Sequence, residues 1–199
     1  MSAPVRLLVT AGSARRGSYN AALARVAATL ARSEGAEVTE LDLRALALPV
    51  YDGDVEAAGM PAGALELRRL FASHDAFVVA APEYNAFVTP LLVNALDWAS
   101  RPAADGALPS GLAAMNGKVA GMLSASPGAL GGMRSVLFLR SFLSTALGML
   151  VVPETASVSQ AHQAFDAAGA LKDERTQQAV QRVVHSVLRT AGASRGAAA

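Results

Sequence analysis

The sequence of 199 residues predicts an α/β domain of three layers, a parallel sheet with helices on both faces. Two observations carry the prediction. Near-continuous apolar runs, as expected of strands buried on both faces, alternate with segments of helical period. Hydrophobic residues make up 52% of the chain and charged ones 17%, enough apolar material for a sizeable core. Residues 5–11, rich in Val and Leu, predict the first strand. Residues 18–31 predict a helix, with Leu23, Val26, Ala27 and Leu30 on one face. A second strand is expected over 38–43, then a long connection through 48–54 and a helix over 64–71. Residues 76–81 form a buried strand stopped by Pro82, and 90–100 a helix with Pro90 in its first turn. A strand over 119–123 precedes a long amphipathic helix over 134–147. Residues 149–152 predict a short strand closed by Pro153. The last helix, 174–188, places Val180, Val183, Val184 and Val187 at i, i+3, i+4 and i+7. The β–α alternation thus recurs about five times, with no linker or internal repeat. Residues 1–191 are expected to form one domain, and 192–199 a disordered tail.

Composition excludes several classes of function. A formal net charge of +1 argues against a nucleic-acid partner, which calls for a basic stripe. No run approaches the ~18 uninterrupted apolar residues of a membrane span, so no membrane association is expected. The longest charge-free run, 119–133, contains Ser124, Ser126, Pro127 and four glycines. The first residues have neither the basic flank nor the apolar core of a secretion signal, and a cytoplasmic location is expected. With no cysteine there is no disulfide, thiolate nucleophile or iron–sulfur cluster. His74, His162 and His185 stand in no metal-ligand spacing, so no metal site is assigned. Such a chain must borrow its reactivity.

In a doubly wound sheet, ligands bind beyond the carboxyl ends of the strands, so the loops after the first, third and fourth strands are the candidate site. Gly12-Ser13-Ala14-Arg15-Arg16-Gly17-Ser18-Tyr19-Asn20 opens a helix whose first amides suit a phosphate. Ser13, Ser18 and Asn20 add side-chain donors and Arg15 a charge. The plainer alternative is a Gly/Ser turn with Ser18 as N-cap. The run is neither a P-loop nor a G-x-G-x-x-G fingerprint. The second loop, residues 81–90, is stiffened by Pro82 and Pro90 and presents Glu83, Tyr84, Asn85 and Phe87. It can read the edge of a planar heterocycle while an aromatic covers its face, or Tyr84 and Phe87 can simply lid the core. Glu83 has no neighbouring carboxylate or histidine to support acid–base work. The third loop, residues 124–132, offers Ser126 with Gly128 and Gly131, which admit close backbone approach, or serves as a flexible connector. It contains no Gly-x-Ser-x-Gly elbow.

Together the runs 12–20, Pro82-Glu83-Tyr84-Asn85 leading to Asn94-Ala95-Leu96-Asp97-Trp98, Ser126-Pro127-Gly128-Ala129-Leu130-Gly131-Gly132-Met133-Arg134 and Leu48-Pro49-Val50-Tyr51-Asp52-Gly53-Asp54 resemble the NADPH-dependent FMN reductase family. The resemblance implies a flavodoxin-like, five-stranded parallel sheet in the order 2-1-3-4-5. It implies non-covalent FMN as cofactor and NADPH or NADH as co-substrate. The FMN phosphate would lie against Ser13, Arg15, Ser18 and Asn20. The ring would lie against Pro82, Glu83, Tyr84 and Asn85, with Ser126, Gly128 and Gly131 on the far side. The implied activity is hydride transfer from the nicotinamide to FMN and then to a quinone, azo compound, metal oxyanion or free flavin, in ping-pong fashion. No residue is nominated as chemical acid, base or nucleophile, because the flavin performs the chemistry. The alternative is a flavodoxin-like electron carrier with no nicotinamide turnover of its own. Arg101 and Arg134 are candidates for the nicotinamide's phosphates, although Arg101 can equally pair with Asp97 at i, i+4. A homodimer or homotetramer is implied, with Trp98 at an interface or in the core. Ala86, Phe87, Thr89, Pro90 and Val93 depart from the family pattern, so acceptor choice is not carried over.

Overall fold

The computed structural model describes residues 3–102, 109 and 111–197. Five parallel strands form the central sheet: β1 (Arg6–Ala11), β2 (Glu37–Leu41), β3 (Ala76–Ala80), β6 (Val119–Ala125) and β7 (Leu150–Val158). Their order is β2-β1-β3-β6-β7. With the short hairpin β4 (Glu83–Tyr84) and β5 (Phe87–Val88) set aside, this is the expected 2-1-3-4-5. The chain reverses its direction of progress between β1 and β3, which places the switch point beside the loops that follow them.

Helices α1 (Tyr19–Ser33) and α7 (Glu174–Ala197) cover one face, and α3 (Ala62–Ser73), α4 (Pro90–Ala99) and α5 (Met133–Ser141) the other. The small residues Ala24, Ala27, Ala28 and Ala31 let α1 lie close to the sheet. Gly121 does the same beneath α7, where a Cβ would stand 2.6 Å from Val187 Cγ2. The valines picked out by period, Val180, Val183, Val184 and Val187, are all fully buried there. On the opposite face Leu67, Phe71, Leu92, Leu96 and Leu139 close the second core. Shorter helices are α2 (Gly53–Ala58), α6 (Ala161–Ala164) and a 3-10 turn at Gly111–Ala114.

Four boundaries differ from expectation. Pro153 does not close the last strand, which continues to Val158. β7 lies at the sheet edge, and the register with β6 shifts between Ala120 and Met122, so Pro153 falls in a bulge where no ladder bond is lost. The helix expected over 134–147 ends as a π turn, Phe142–Ala146. Ser144 Oγ and Thr145 Oγ1 donate back to the carbonyls of Arg140 and Ser141, competing with the backbone ladder. The second loop contains the β4–β5 hairpin. Finally, α7 runs through 192–197, the greater part of the expected tail; 198–199 lie outside the described residues.

Candidate active site

The three loops meet. Ser13, Arg15, Ser18, Tyr19 and Asn20 from the first, Pro82, Glu83 and Tyr84 from the second, and Ala125, Ser126 and Pro127 from the third wall one cavity of ≈ 270 Å³. Side chains hold them together. Asn20, 3% exposed, donates from Nδ2 to the Ala125 carbonyl at 2.8 Å and accepts the Ala125 amide at 2.9 Å. Buried Thr89 donates to the Gly12 carbonyl at 2.7 Å, joining the end of the second loop to the start of the first. The sheet continues into the site through Gly12 N to Ala80 O (2.9 Å) and Ser126 N to Val158 O (3.0 Å).

Each expected site residue can now be placed. Ser18 is the N-cap of α1, its Oγ accepting the Ala21 amide at 3.3 Å. That leaves the first amides of α1 aimed out of the helix with its positive end. Ser13 and Arg15 stand in front of them, Arg15 exposed, 3.3 Å from the Gly17 carbonyl and 5.2 Å above the Tyr19 ring. Asn20 also lines the cavity, but its carbonyl oxygen and one amide hydrogen are spent on Ala125. Its main work is positioning. Asn85, Gly128 and Gly131 are not among the cavity walls. Asn85 and Ala86, with φ of 51° and 62°, make the two-residue turn of the hairpin. Gly131 sits at φ 61° with β7 so close that a Cβ would stand 2.8 Å from Val158 C, so it seats the third loop on the sheet. Gly128 donates its amide to Ser126 Oγ at 3.2 Å.

Glu83 is clamped. Its Oε1 accepts from Nε of Arg134 at 2.8 Å and from Nη2, and its Oε2 accepts the Arg134 amide at 3.1 Å. It thereby caps the start of α5 from another element, and the Arg134 guanidinium holds its carboxyl below the usual carboxylate range. It is therefore held in its ionised form. Arg134 is thus engaged, and Arg101 is too: it donates to the Asp97 carbonyl (3.1 Å) and Ser100 Oγ (3.1 Å) and stacks over Tyr51. Trp98 is fully buried and donates to the Pro49 carbonyl at 2.8 Å, so it is a core residue. Asn94 takes the Tyr51 amide at 2.7 Å and donates to the same Pro49 carbonyl, which explains why the two motifs occur together. Phe87 packs on Phe138, ring centres 4.9 Å apart, away from the cavity walls. Tyr19, Ala125 and Pro127 line the site without having been nominated from sequence. The signal for Tyr19 was its place at the first turn of the helix after the loop.

A helix N-terminus with hydroxyls and a guanidinium at one end, and a proline-stiffened hairpin carrying a half-exposed tyrosine at the other, fit the phosphate and the planar ring of a flavin mononucleotide. On a sheet of this order, such a cavity defines a flavodoxin-like mononucleotide fold. The NADPH-dependent FMN reductase profile matches residues 5–163. An NAD(P)H-dependent FMN reductase of Pseudomonas aeruginosa is 34% identical over 188 residues, 94% of this chain and 95% of that protein. A quinone reductase of Pseudomonas putida is 34% identical over 176 residues, 87% of this chain and 88% of its own length. The flavoenzyme NAD(P)H:(acceptor) oxidoreductase of Paracoccus denitrificans superposes with a TM-score of 0.79 at 29% identity, covering 96% and 98% of the two chains. The chain belongs to the NADPH-dependent FMN reductase family, and so to the FMN- and NAD(P)H-dependent oxidoreductases. No helix among the described residues is long and apolar enough to cross a membrane.

Proposed function

We propose that this chain transfers hydride from a reduced nicotinamide to FMN held in the three-loop cavity, and then to a small acceptor. The acceptor is a quinone, an azo compound, a metal oxyanion or free flavin. The observation that carries the reading is the cavity itself: phosphate-type donors and a planar-ring platform share one wall system, and none of the histidines lines it. FMN supplies the hydride chemistry. Ser13, Arg15, Ser18 and the α1 amides hold its phosphate. Asn20 and Thr89 fix the loops around it. Pro82, Glu83 and Tyr84 border the ring, with Ser126 opposite, and the Arg134–Glu83 pair locks the hairpin to α5. Tyr84 is 50% exposed, so that side stays open to solvent. An open side admits the nicotinamide and the acceptor in turn, which supports ping-pong kinetics.

A homodimer or homotetramer fits the same reading. Leu130, Met133, Leu137, Phe138 and Phe87 leave a run of exposed apolar side chains along α5 and the hairpin. Light scattering should therefore give a mass above that of one chain. The experiment for the activity is anaerobic mixing of the FMN-loaded protein with NADPH. Rapid bleaching of the flavin band is expected; no bleaching within minutes by NADPH or NADH would reduce the chain to an electron carrier.

A further inference from the structure

The two arginines that sequence position offered to the nicotinamide's phosphates are engaged elsewhere, Arg134 with Glu83 and Arg101 with Asp97, Ser100 and Tyr51. Four other arginines gather beside the flavin cavity. Arg15, Arg16, Arg25 and Arg44 all line a second cavity of ≈ 380 Å³, floored by the ends of β1 and β2 and by α1. Among the described residues none of the four forms an ion pair with a carboxylate. Their visible bonds go to backbone carbonyls: Arg25 to Ala21 at 3.3 Å, Arg44 to Ala14 at 3.5 Å and Arg15 to Gly17 at 3.3 Å. Two acids share the wall. Glu40 is paired with Arg32 at 2.8 Å, and Asp42 accepts the Arg44 amide at 2.9 Å in a turn. With Arg15 assigned to the FMN phosphate and Glu40 paired with Arg32, Arg16, Arg25 and Arg44 still outnumber the Asp42 carboxylate on this wall, a local excess of positive charge in a chain of formal charge +1. Like charges around one concavity repel, and a dianion placed among them removes that repulsion and gains charge-assisted bonds.

The position narrows the ligand. Ser13 and Arg15 line both cavities, so a group in the second lies one side chain away from the flavin site. Arg16, Arg25 and Arg44 do not touch the flavin cavity and are not accounted for by the FMN phosphate. We infer that the arginine cavity is a phosphomonoester subsite that receives the 2′-phosphate of NADPH, and that it sets a preference for NADPH over NADH. A phosphomonoester carries close to two negative charges at neutral pH and three acceptor oxygens, which suits several guanidiniums better than a lone hydroxyl does. The inference rests on a reduced nicotinamide being the hydride donor.

Calorimetric titration of the FMN-loaded protein tests it without turnover. Adenosine 2′,5′-bisphosphate and adenosine 5′-monophosphate differ only in the 2′-phosphate. The bisphosphate should bind about ten- to hundredfold tighter, the factor expected of one or two charge-assisted bonds. The double variant Arg16→Ala/Arg44→Ala, both exposed positions, should lose that ratio while keeping its FMN and its unfolding midpoint. Equal binding of the two nucleotides by the unaltered chain, or a ratio that survives in the variant, overturns the subsite. Inorganic phosphate binding as tightly as the bisphosphate would assign the cavity to a free anion instead and also overturn it. Failure of the hydride-donor reading shows separately, as an FMN band that neither nicotinamide bleaches.

Discussion

The two ends of the flavin cavity are built on different principles. At the phosphate end, the side chains that look like ligands are partly structural: Asn20 ties α1 to β6, Ser18 caps α1, and only Ser13 and Arg15 stand largely free of the fold. At the ring end, the hairpin is held to α5 by the Glu83–Arg134 pair and by Phe87 packed on Phe138, and at its base by buried Val88 and Thr89, while Tyr84 and Asn85 are exposed. Residues at a site thus divide into those that hold the site and those that hold the ligand. A polar residue in a binding loop is not thereby a contact.

The comparison breaks most sharply at Asn20. Asn20→Ala removes two bonds in a buried place and leaves the Ala125 amide and carbonyl without them, so unfolding stability should fall by about 2–4 kcal/mol, with FMN affinity lost in consequence. A variant that denatures like the parent in urea would make Asn20 a ligand rather than a tie. Arg15→Ala should do the reverse: FMN binding weakens by about 1.5–3 kcal/mol in a fluorescence titration. Its urea midpoint should stay that of the parent, because Arg15 is exposed and makes one weak internal bond.

At the ring end, Glu83→Gln should cost about 1–2 kcal/mol at neutral pH by removing the ion pair and leaving one acceptor oxygen where Arg134 now bonds two. The Glu83 carboxyl is held below its ordinary range in the folded chain, so its contribution is present in full above the unfolded-state value and is lost as pH falls through the folded one. The stability gap between parent and variant should therefore close in acid, measured as unfolding midpoints from pH 7 downward. The smallest effect belongs to the hairpin tip. Ala86 sits at φ 62°, where a side chain is strained, and Ala86→Gly should stabilise by about 0.5–1 kcal/mol.

The same division explains what could be read before the fold was known. The sheet, its alternation with helices and the three loops are local signals, each carried by a run of apolar residues or a cluster of Gly, Ser and Pro. The ties are not local: Asn20 meets a backbone 105 residues away, and Glu83 meets Arg134 across 51. No spacing rule reaches them. The hairpin escaped notice because Asn85–Ala86 lacks the glycine that usually marks such a turn. Pro153 misled because a proline forbidden inside a sheet is tolerated in an edge bulge. Residues 192–197, small and polar in composition, continue α7, whose buried valines anchor the earlier turns.

The measurement closest to the centre of this account is a parallel titration of the flavin-free protein with FMN and with riboflavin, followed by quenching of flavin fluorescence. The two ligands share the ring and differ in the phosphate. If the start of α1, Ser13 and Arg15 grip that phosphate, FMN should bind at least about tenfold tighter, and the margin should shrink in Arg15→Ala. Equal affinity for the two would mean that the loop after β1 holds no phosphate.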